Sequence, residues 1–350
     1  MKTPSPPRGR GSADNPKNRF EKIERVPEPL AADEISSPAT TFLTDSSKSI
    51  IAYNDSPDVG FDASVNPYRG CEHGCIYCYA RPTHEYLGFS AGLDFETKIM
   101  VKADAPELLR KELASPKWKP RVLAMSGVTD CYQPAEKKLG LTRRCLQVLL
   151  EFRNPVTIVT KNYLVTRDID ILSDLARHRC AAVFISLTTL DEKLSGVMEP
   201  RASRPARRLA AISALSQAGI PVGYLQAPMI PGLTDSEAPA IAQAAAKAGA
   251  RYAGYVALRL PHAVKDLFEE WLERNYPEKK NKVLNRIRTI RGGNLNDPQF
   301  NSRMRGEGIF AEQMADLFRV ACRKAGIEER SPGLSSEQFR RPKEQLKLFG

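Results

Sequence analysis

Residues 66–81 read NPYRGCEHGCIYCYAR and hold three of the chain's seven cysteines. Cys71, Cys75 and Cys78 are spaced C-x3-C-x2-C, and the aromatic Tyr77 stands directly before the third. Three thiolates on one short loop are soft donors suited to the irons of a cubane cluster. A four-iron cluster has four corners, so three cysteines leave one iron open to bind a substrate directly. Gly70 and Gly74 let the backbone wrap closely around such a group. The competing reading is a structural zinc site that adds His73 or His84 to the same cysteines. Structural zinc usually pairs two separated knuckles, and no second one follows, so the spacing favours iron and sulfide. His73 reads as a loop residue.

Outward from this loop, short β-rich runs alternate with amphipathic helical stretches. Strands are expected over residues 64–68, 122–126, 156–160, 182–186, 221–226 and 252–257. Helices are expected over 105–114, 142–152, 166–177, 205–218 and 236–248. In the 205–218 segment Leu209, Ile212 and Leu215 recur at helical spacing, and Gly219 stands where a helix stop belongs. Strand–helix alternation implies a parallel sheet. About six such units are too few for an eight-fold barrel, so the expected fold is α/β, a partial (β/α)6 barrel. Chemistry in such folds collects at the carboxyl ends of the strands.

The flanks differ from this middle. Residues 1–40 are rich in Pro, Ser and Arg and predict a disordered basic arm, followed by a strand or hairpin over 41–53. The barrel is expected over 41–261, a helical and loop C-terminal extension covering it over 262–330, and a mobile tail over 331–350. The chain has 350 residues and a formal net charge of +11. Residues 1–20 carry five cations against Asp14, and 273–350 carry 17 against 10 anions. That surplus favours a polyanionic partner such as nucleic acid. Arg286, Arg288, Arg291, Arg303 and Arg305 are offered either to an anionic backbone or to a basic surface loop. No run reaches the ~18 apolar residues of a membrane helix and no signal-peptide core opens the chain, so a soluble cytoplasmic protein without a membrane partner is expected. Cys145, Cys180 and Cys322 lie in apolar surroundings and read as core.

The C-x3-C-x-aromatic-C loop after a first barrel strand resembles the signature of the radical S-adenosylmethionine (SAM) superfamily. Within it the likeness is to the spore photoproduct lyase-like, DNA-repair-like group. It is carried by CIYCYA, the Thr129-Asp130 turn, the VTK of the third strand, Ser186, and Glu199-Pro200-Arg201 opening a basic helix. The resemblance implies a [4Fe–4S] cluster on Cys71, Cys75 and Cys78, with SAM chelated at the open iron. It implies reductive cleavage to methionine and a 5′-deoxyadenosyl radical, driven by an external flavodoxin- or ferredoxin-like one-electron donor. By residue-by-residue match it makes Tyr77, Ser126, Gly127, Thr129, Asp130, Lys161, Ser186 and Arg201 candidate SAM-site residues, Arg201 toward the SAM carboxylate. Tyr79 becomes a candidate in the radical path. The lyase's hydrogen-donating cysteine would fall near Gly127, and the nearest thiol here is Cys131, a displaced candidate for that role. The substrate is expected to be nucleic acid or another anion. A small molecule or protein side chain is the alternative substrate, and a non-catalytic metal-binding protein the alternative to an enzyme.

Overall fold

The computed structural model describes residues 6–21, 38–125 and 127–342. Among the described residues ten strands occur in chain order: β1 (Thr41–Thr44), β2 (Ile51–Tyr53), β3 (Ala63–Val65), β4 (Tyr68–Arg69), β5 (Lys98–Val101), β6 (Leu123–Met125), β7 (Val156–Thr160), β8 (Ala181–Ser186), β9 (Val222–Met229) and β10 (Tyr252–Ala257). The helices are α1 (Leu93–Thr97), α2 (Ala105–Ala114), α3 (Glu136–Leu139), α4 (Leu141–Phe152), α5 (Ile169–Arg177), α6 (Glu192–Met198), α7 (Pro205–Gln217), α8 (Ala238–Lys247), α9 (Val264–Asn275), α10 (Pro277–Thr289), α11 (Ser302–Arg305) and α12 (Ile309–Ala325).

The main sheet runs β10-β9-β8-β7-β6-β3-β2, with β3 and β6 through β10 parallel and β2 antiparallel at the edge. Six parallel strands with crossover helices make the expected partial barrel. β8 reads AAVFIS and is buried at every position, as a central parallel strand covered on both faces must be. α7 ends where Gly219 turns left-handed at φ +75°, and the Ile220 amide returns to the Leu215 carbonyl at 3.1 Å.

Several expectations are corrected in whole or in part. The run 64–68 is split between two sheets: β3 ends at Val65, and Tyr68 belongs to β4, which pairs with β5 in a separate sheet ordered β1-β5-β4. Pro67 lies in the gap and has no N–H to continue a ladder. Of the strand or hairpin expected over 41–53, strands form as β1 and β2 but not as a hairpin, because β1 pairs with β5 and β2 with β3. Residues 6–21 are no loose arm either: they form a strap across the cluster loop and the residues after it. Arg10, Ser12 and Asn18 are buried, and the Asn18 side chain donates to the Glu85 and Phe89 carbonyls at 2.9 Å each. Composition reads such polar sequence as mobile, but here the polar groups find buried partners.

The C-terminal segments do two jobs. α9 and α10 bury Phe268, Trp271, Leu272 and Ile287 against Ile76 and Tyr77 of the cluster loop. α12 closes the sheet edge, packing Phe318 on Tyr255 with ring centroids 4.9 Å apart, while Ala253 donates to the Glu328 carbonyl at 2.8 Å. Residues 331–342 of the expected tail dock on the barrel: the Arg340 amide donates to the Phe152 carbonyl at 2.9 Å and Phe339 packs on Phe152. Among the described residues no helix is long and apolar enough to cross a membrane.

Candidate active site

The loop from Gly70 to Tyr79 sits over the carboxyl ends of the parallel strands, and its shape is fixed by buried side chains. Gly70 and Gly74 are left-handed, at φ +79° and +67°. The Gln133 side chain receives the Glu72 amide at 2.9 Å and donates to the Gly70 carbonyl at 3.1 Å. Arg81, fully buried, donates to the carbonyls of Cys75 (2.9 Å), Ala91 (3.1 Å) and Gly92 (3.0 Å), and pairs with Glu96 at 2.5 Å. A buried guanidinium in such a set of acceptors is a rigid post behind the loop.

Cys71, Cys75 and Cys78 line one cavity together with Tyr77, Tyr79, Thr129, Asp130, Thr160, Lys161 and Ser186. Burial pushes all three thiols up, reinforced at Cys71 by Asp130 and at Cys75 by Glu199, while at Cys78 the Arg81 cation pulls partly back. Thiols so placed need a bound cation to become thiolates. Among the described residues no three His, Cys, Asp or Glu side chains converge on a single point. A mononuclear zinc site asks for such convergence, whereas a cubane takes one thiolate per iron. His73 is engaged at both ring nitrogens, Nδ1 with Asp130 at 3.3 Å and Nε2 with Asn162 at 3.1 Å. His84 Nε2 faces the Lys98 carbonyl at 2.9 Å, and burial lowers its pKa to about 4. His73 lines the cavity with the thiols but both its ring nitrogens are engaged, His84 lies outside that cavity, and the donor set fits a [4Fe–4S] cluster.

Asp130 is the hub of the polar wall. It accepts from Thr160 Oγ1 (2.7 Å) and from the amides of Lys161 (2.8 Å) and Tyr132 (2.9 Å), and faces His73. Burial pushes its pKa up, but His73 and these donors outweigh it, and Asp130 stays a carboxylate. Lys161 Nζ donates to Ser186 Oγ at 2.7 Å and to the Ala227 carbonyl at 3.2 Å. Beneath them lies a group that sequence reading missed. Glu199, buried, accepts from Tyr77, from Thr188 at 2.9 Å and from the buried Arg208. Burial opposes its charge, yet Arg208 and Lys161 hold its pKa down to about 2. The sequence signal is the basic helix that Glu199-Pro200-Arg201 opens, to which Arg208 belongs.

Other expected residues fall differently. Tyr79 is half exposed at the cavity mouth and donates to the Gly127 carbonyl at 2.6 Å. Gly127 stands against Ser64 and Asn66, and Asn66 Oδ1 receives the Val128 amide at 3.1 Å. Thr129 lines the cavity with its hydroxyl turned to the Tyr68 carbonyl at 3.3 Å. Ser126 lies outside the described residues. Arg201 does not line the cavity: its guanidinium pairs with Glu72 at 3.0 Å, because the Glu72 side chain turns away from the thiols. Cys131 is also absent from the cavity wall, its thiol being fully buried in the main core on the far side of the Asp130 turn. Arg291 is buried and spent on the Ser302 (2.9 Å) and Leu258 (2.8 Å) carbonyls, and Arg303 on Asp58.

A cysteine loop of this form over a six-stranded partial barrel defines a radical SAM protein. The family model described as the radical SAM superfamily matches residues 65–245, just over half of the chain, and the chain belongs to that superfamily. The superfamily's [4Fe–4S] cluster and SAM are the cofactors of this site. An uncharacterized protein of Mycobacterium tuberculosis is 37% identical over 220 residues, covering 62% of this chain and 65% of that one. The chain thus spans just under two thirds of the length of that relative. An uncharacterized protein of Methanocaldococcus jannaschii is 28% identical over 214 residues, covering 61% of this chain and 76% of that one. A cysteine mutant of spore photoproduct lyase, solved with bound AdoMet and dinucleoside spore photoproduct, shares the fold with a TM-score of 0.60 at 15% identity, covering 88% of this chain and 87% of that one.

Proposed function

We propose that this chain is a cytoplasmic radical SAM enzyme acting on nucleic acid. The observation that carries the reading is the meeting of Cys71, Cys75 and Cys78 with Lys161, Ser186 and Asp130 in one cavity at the carboxyl ends of the strands. When bound, the cluster and SAM supply one-electron cleavage of the sulfonium, yielding methionine and a 5′-deoxyadenosyl radical, with the electron coming from a flavodoxin- or ferredoxin-like donor.

The protein's own residues position and enclose. Cys71, Cys75 and Cys78 would hold three irons of the cluster and leave the fourth without a protein thiolate, in a cavity that Lys161 and Ser186 also line. An ammonium has three donors. Two of those on Lys161 are taken by Ser186 and Ala227, and Glu199 Oε1 stands 4.0 Å away, so one remains for an incoming carboxylate. Glu199 pairs with the buried Arg208 and stands 4.0 Å from Lys161 Nζ without itself reaching the cavity. Asp130 ties the cluster loop, through His73, to the end of β7, fixing the distance between thiols and Lys161. Tyr79 and Val128 narrow the mouth and exclude water from the reacting atoms.

Support for an anionic substrate comes from the mouth. The Arg259 guanidinium lies 5.5 Å from the centre of the Tyr79 ring, and among the described residues its Nε has no hydrogen-bond partner. The net charge of +11 and the fold shared with spore photoproduct lyase point the same way. The test is oligonucleotide binding by the reconstituted protein across a salt series, together with SAM cleavage with and without oligonucleotide. Binding that weakens as salt rises, with turnover raised by DNA or RNA, supports the reading. Absence of salt-sensitive binding turns the assignment to a small molecule or protein side chain.

A further inference from the structure

The arginines packed around the carboxyl ends of the strands differ in what they hold. Arg81 and Arg208 are fully buried, and each meets a carboxylate, Glu96 and Glu199. Arg291 is spent on the Ser302 and Leu258 carbonyls. Arg259, half-buried two residues beyond the end of β10, donates to no oxygen among the described residues. There its guanidinium reaches only the Met304 thioether, with Sδ 3.7 Å from Nη1, and its Nε is buried without a partner. The acids that feel its charge are engaged elsewhere, Asp58 by Arg303 and the Asn301 amide, Asp297 by Ser302 and the Gln299 amide. Burial, then the Arg303 cation, works against its charge, and an arginine stays protonated regardless. The Tyr79 ring holds it, 5.5 Å from guanidinium to centroid, and a ring face takes none of the five N–H donors. Tyr79 in turn lines the cavity, so this uncompensated fork stands at the mouth.

We infer that Arg259 is a specificity-determining residue, whose free fork receives one phosphodiester of a nucleic-acid strand while the neighbouring nucleotide enters the cavity. The inference rests on the nucleic-acid reading above and deepens it by naming the group recognised and the residue that recognises it. A guanidinium presents parallel donors that match two oxygens of a phosphate, and the phosphodiester brings the negative charge that this site lacks. In a half-buried place the contact is screened less than on open surface. A neutral base or an apolar side chain at the same point would leave the cation as uncompensated as before. An occupant without an anion there gains nothing from Arg259, and that difference is the selectivity. The chain's net charge of +11 favours a polyanion as the source of the phosphate.

The test uses the full-length, anaerobically reconstituted protein with SAM and no reductant, and a fluorescently labelled single-stranded oligothymidylate as the probe. Anisotropy gives its affinity across a salt series. Arg330→Gln is the control for net charge, since Arg330 is exposed, pairs with Glu328 and lies at the amino end of β10, away from the cavity. Arg259→Gln is expected to weaken binding about 10–100-fold. It should also lower the slope of log affinity against log salt by about 0.7, the share of one phosphate on a single strand. Arg259→Lys is expected to keep the slope and recover only part of the affinity, because a point charge replaces the fork. Wild-type affinity and slope in Arg259→Gln overturn the inference. A weaker affinity at an unchanged slope also overturns it, since Arg259 then shapes the mouth without touching a phosphate. So does an equal loss in Arg330→Gln, which reduces the effect to net charge. If the glutamine variant does not fold, Arg259→Lys decides: partial affinity at the wild-type slope upholds the inference, and full affinity overturns it. A wild-type protein that shows no salt-sensitive binding fails the nucleic-acid reading itself, a result distinct from wild-type binding that Arg259→Gln leaves untouched.

Discussion

Arg81 and Glu96 form a fully buried ion pair, with Nη2 2.5 Å from Oε1, and that pair fastens two parts of the molecule to one point. Arg81 supports the cluster loop through the Cys75 carbonyl, and Glu96 receives the strap through the Gly11 and Ser12 amides. Removing one partner of a buried pair leaves the other charge uncompensated, at a cost of about 3–5 kcal/mol. Glu96→Ala is expected to lose stability of that order in chemical denaturation and to hold less iron per chain after reconstitution. Wild-type iron content and stability would show that the post is dispensable.

The approach of the strap to the loop predicts a second, steric effect. A methyl at position 11 collides with the Gly74 carbonyl oxygen, so Gly11→Ala must displace the strap. Overpacking of this kind costs about 1–3 kcal/mol. Limited proteolysis should cut the variant within residues 6–21 faster than wild type. Equal rates would mean that the strap gives way without cost.

Lys161 offers its remaining donor to an anionic group in the cavity, so Lys161→Ala should weaken SAM binding. A hydrogen bond to a charged group contributes about 1.5–3 kcal/mol, which corresponds to about 10–100-fold in affinity. Equilibrium binding of SAM to the reconstituted variant measures it, and an unchanged affinity would remove Lys161 from the SAM site.

Glu199 gives a pH dependence with a definite sign. Its carboxyl has a folded pKa depressed to about 2 from 4.5. Its contribution, of order 3 kcal/mol, is therefore present above about pH 4.5 and lost as the pH falls toward 2. Glu199→Gln should be less stable at neutral pH, with the gap to wild type closing as acid is added. A gap that stays constant from pH 6 to pH 3 would contradict the assignment.

Cys131 lies in the core, so Cys131→Ala should leave the rate of 5′-deoxyadenosine formation unchanged and cost about 1 kcal/mol for the small cavity. A product spectrum altered by this variant alone would restore its candidacy as a hydrogen donor.

Much of this was legible in the chain. β7 and β10 fall where periodicity put them, over 156–160 and 252–257, because alternation and β-branched residues fix parallel strands locally. The three cysteines announce the cluster by spacing alone. The strap was not legible: its affinity for the barrel comes from Glu85 and Glu96, more than sixty residues away, and no local pattern encodes such a pairing. Arg201 and Arg208 show the same limit. Seven residues apart on one basic segment, they part company only in three dimensions, Arg208 going inward to Glu199 and Arg201 outward to Glu72.

The central claim is the cleavage of SAM at this cavity. The protein is reconstituted anaerobically with iron and sulfide and reduced with dithionite in the presence of SAM, beside a Cys71→Ala, Cys75→Ala, Cys78→Ala triple variant. The account predicts methionine and 5′-deoxyadenosine from wild type and neither from the triple variant. A colourless wild-type protein that retains one zinc and returns SAM intact would contradict it.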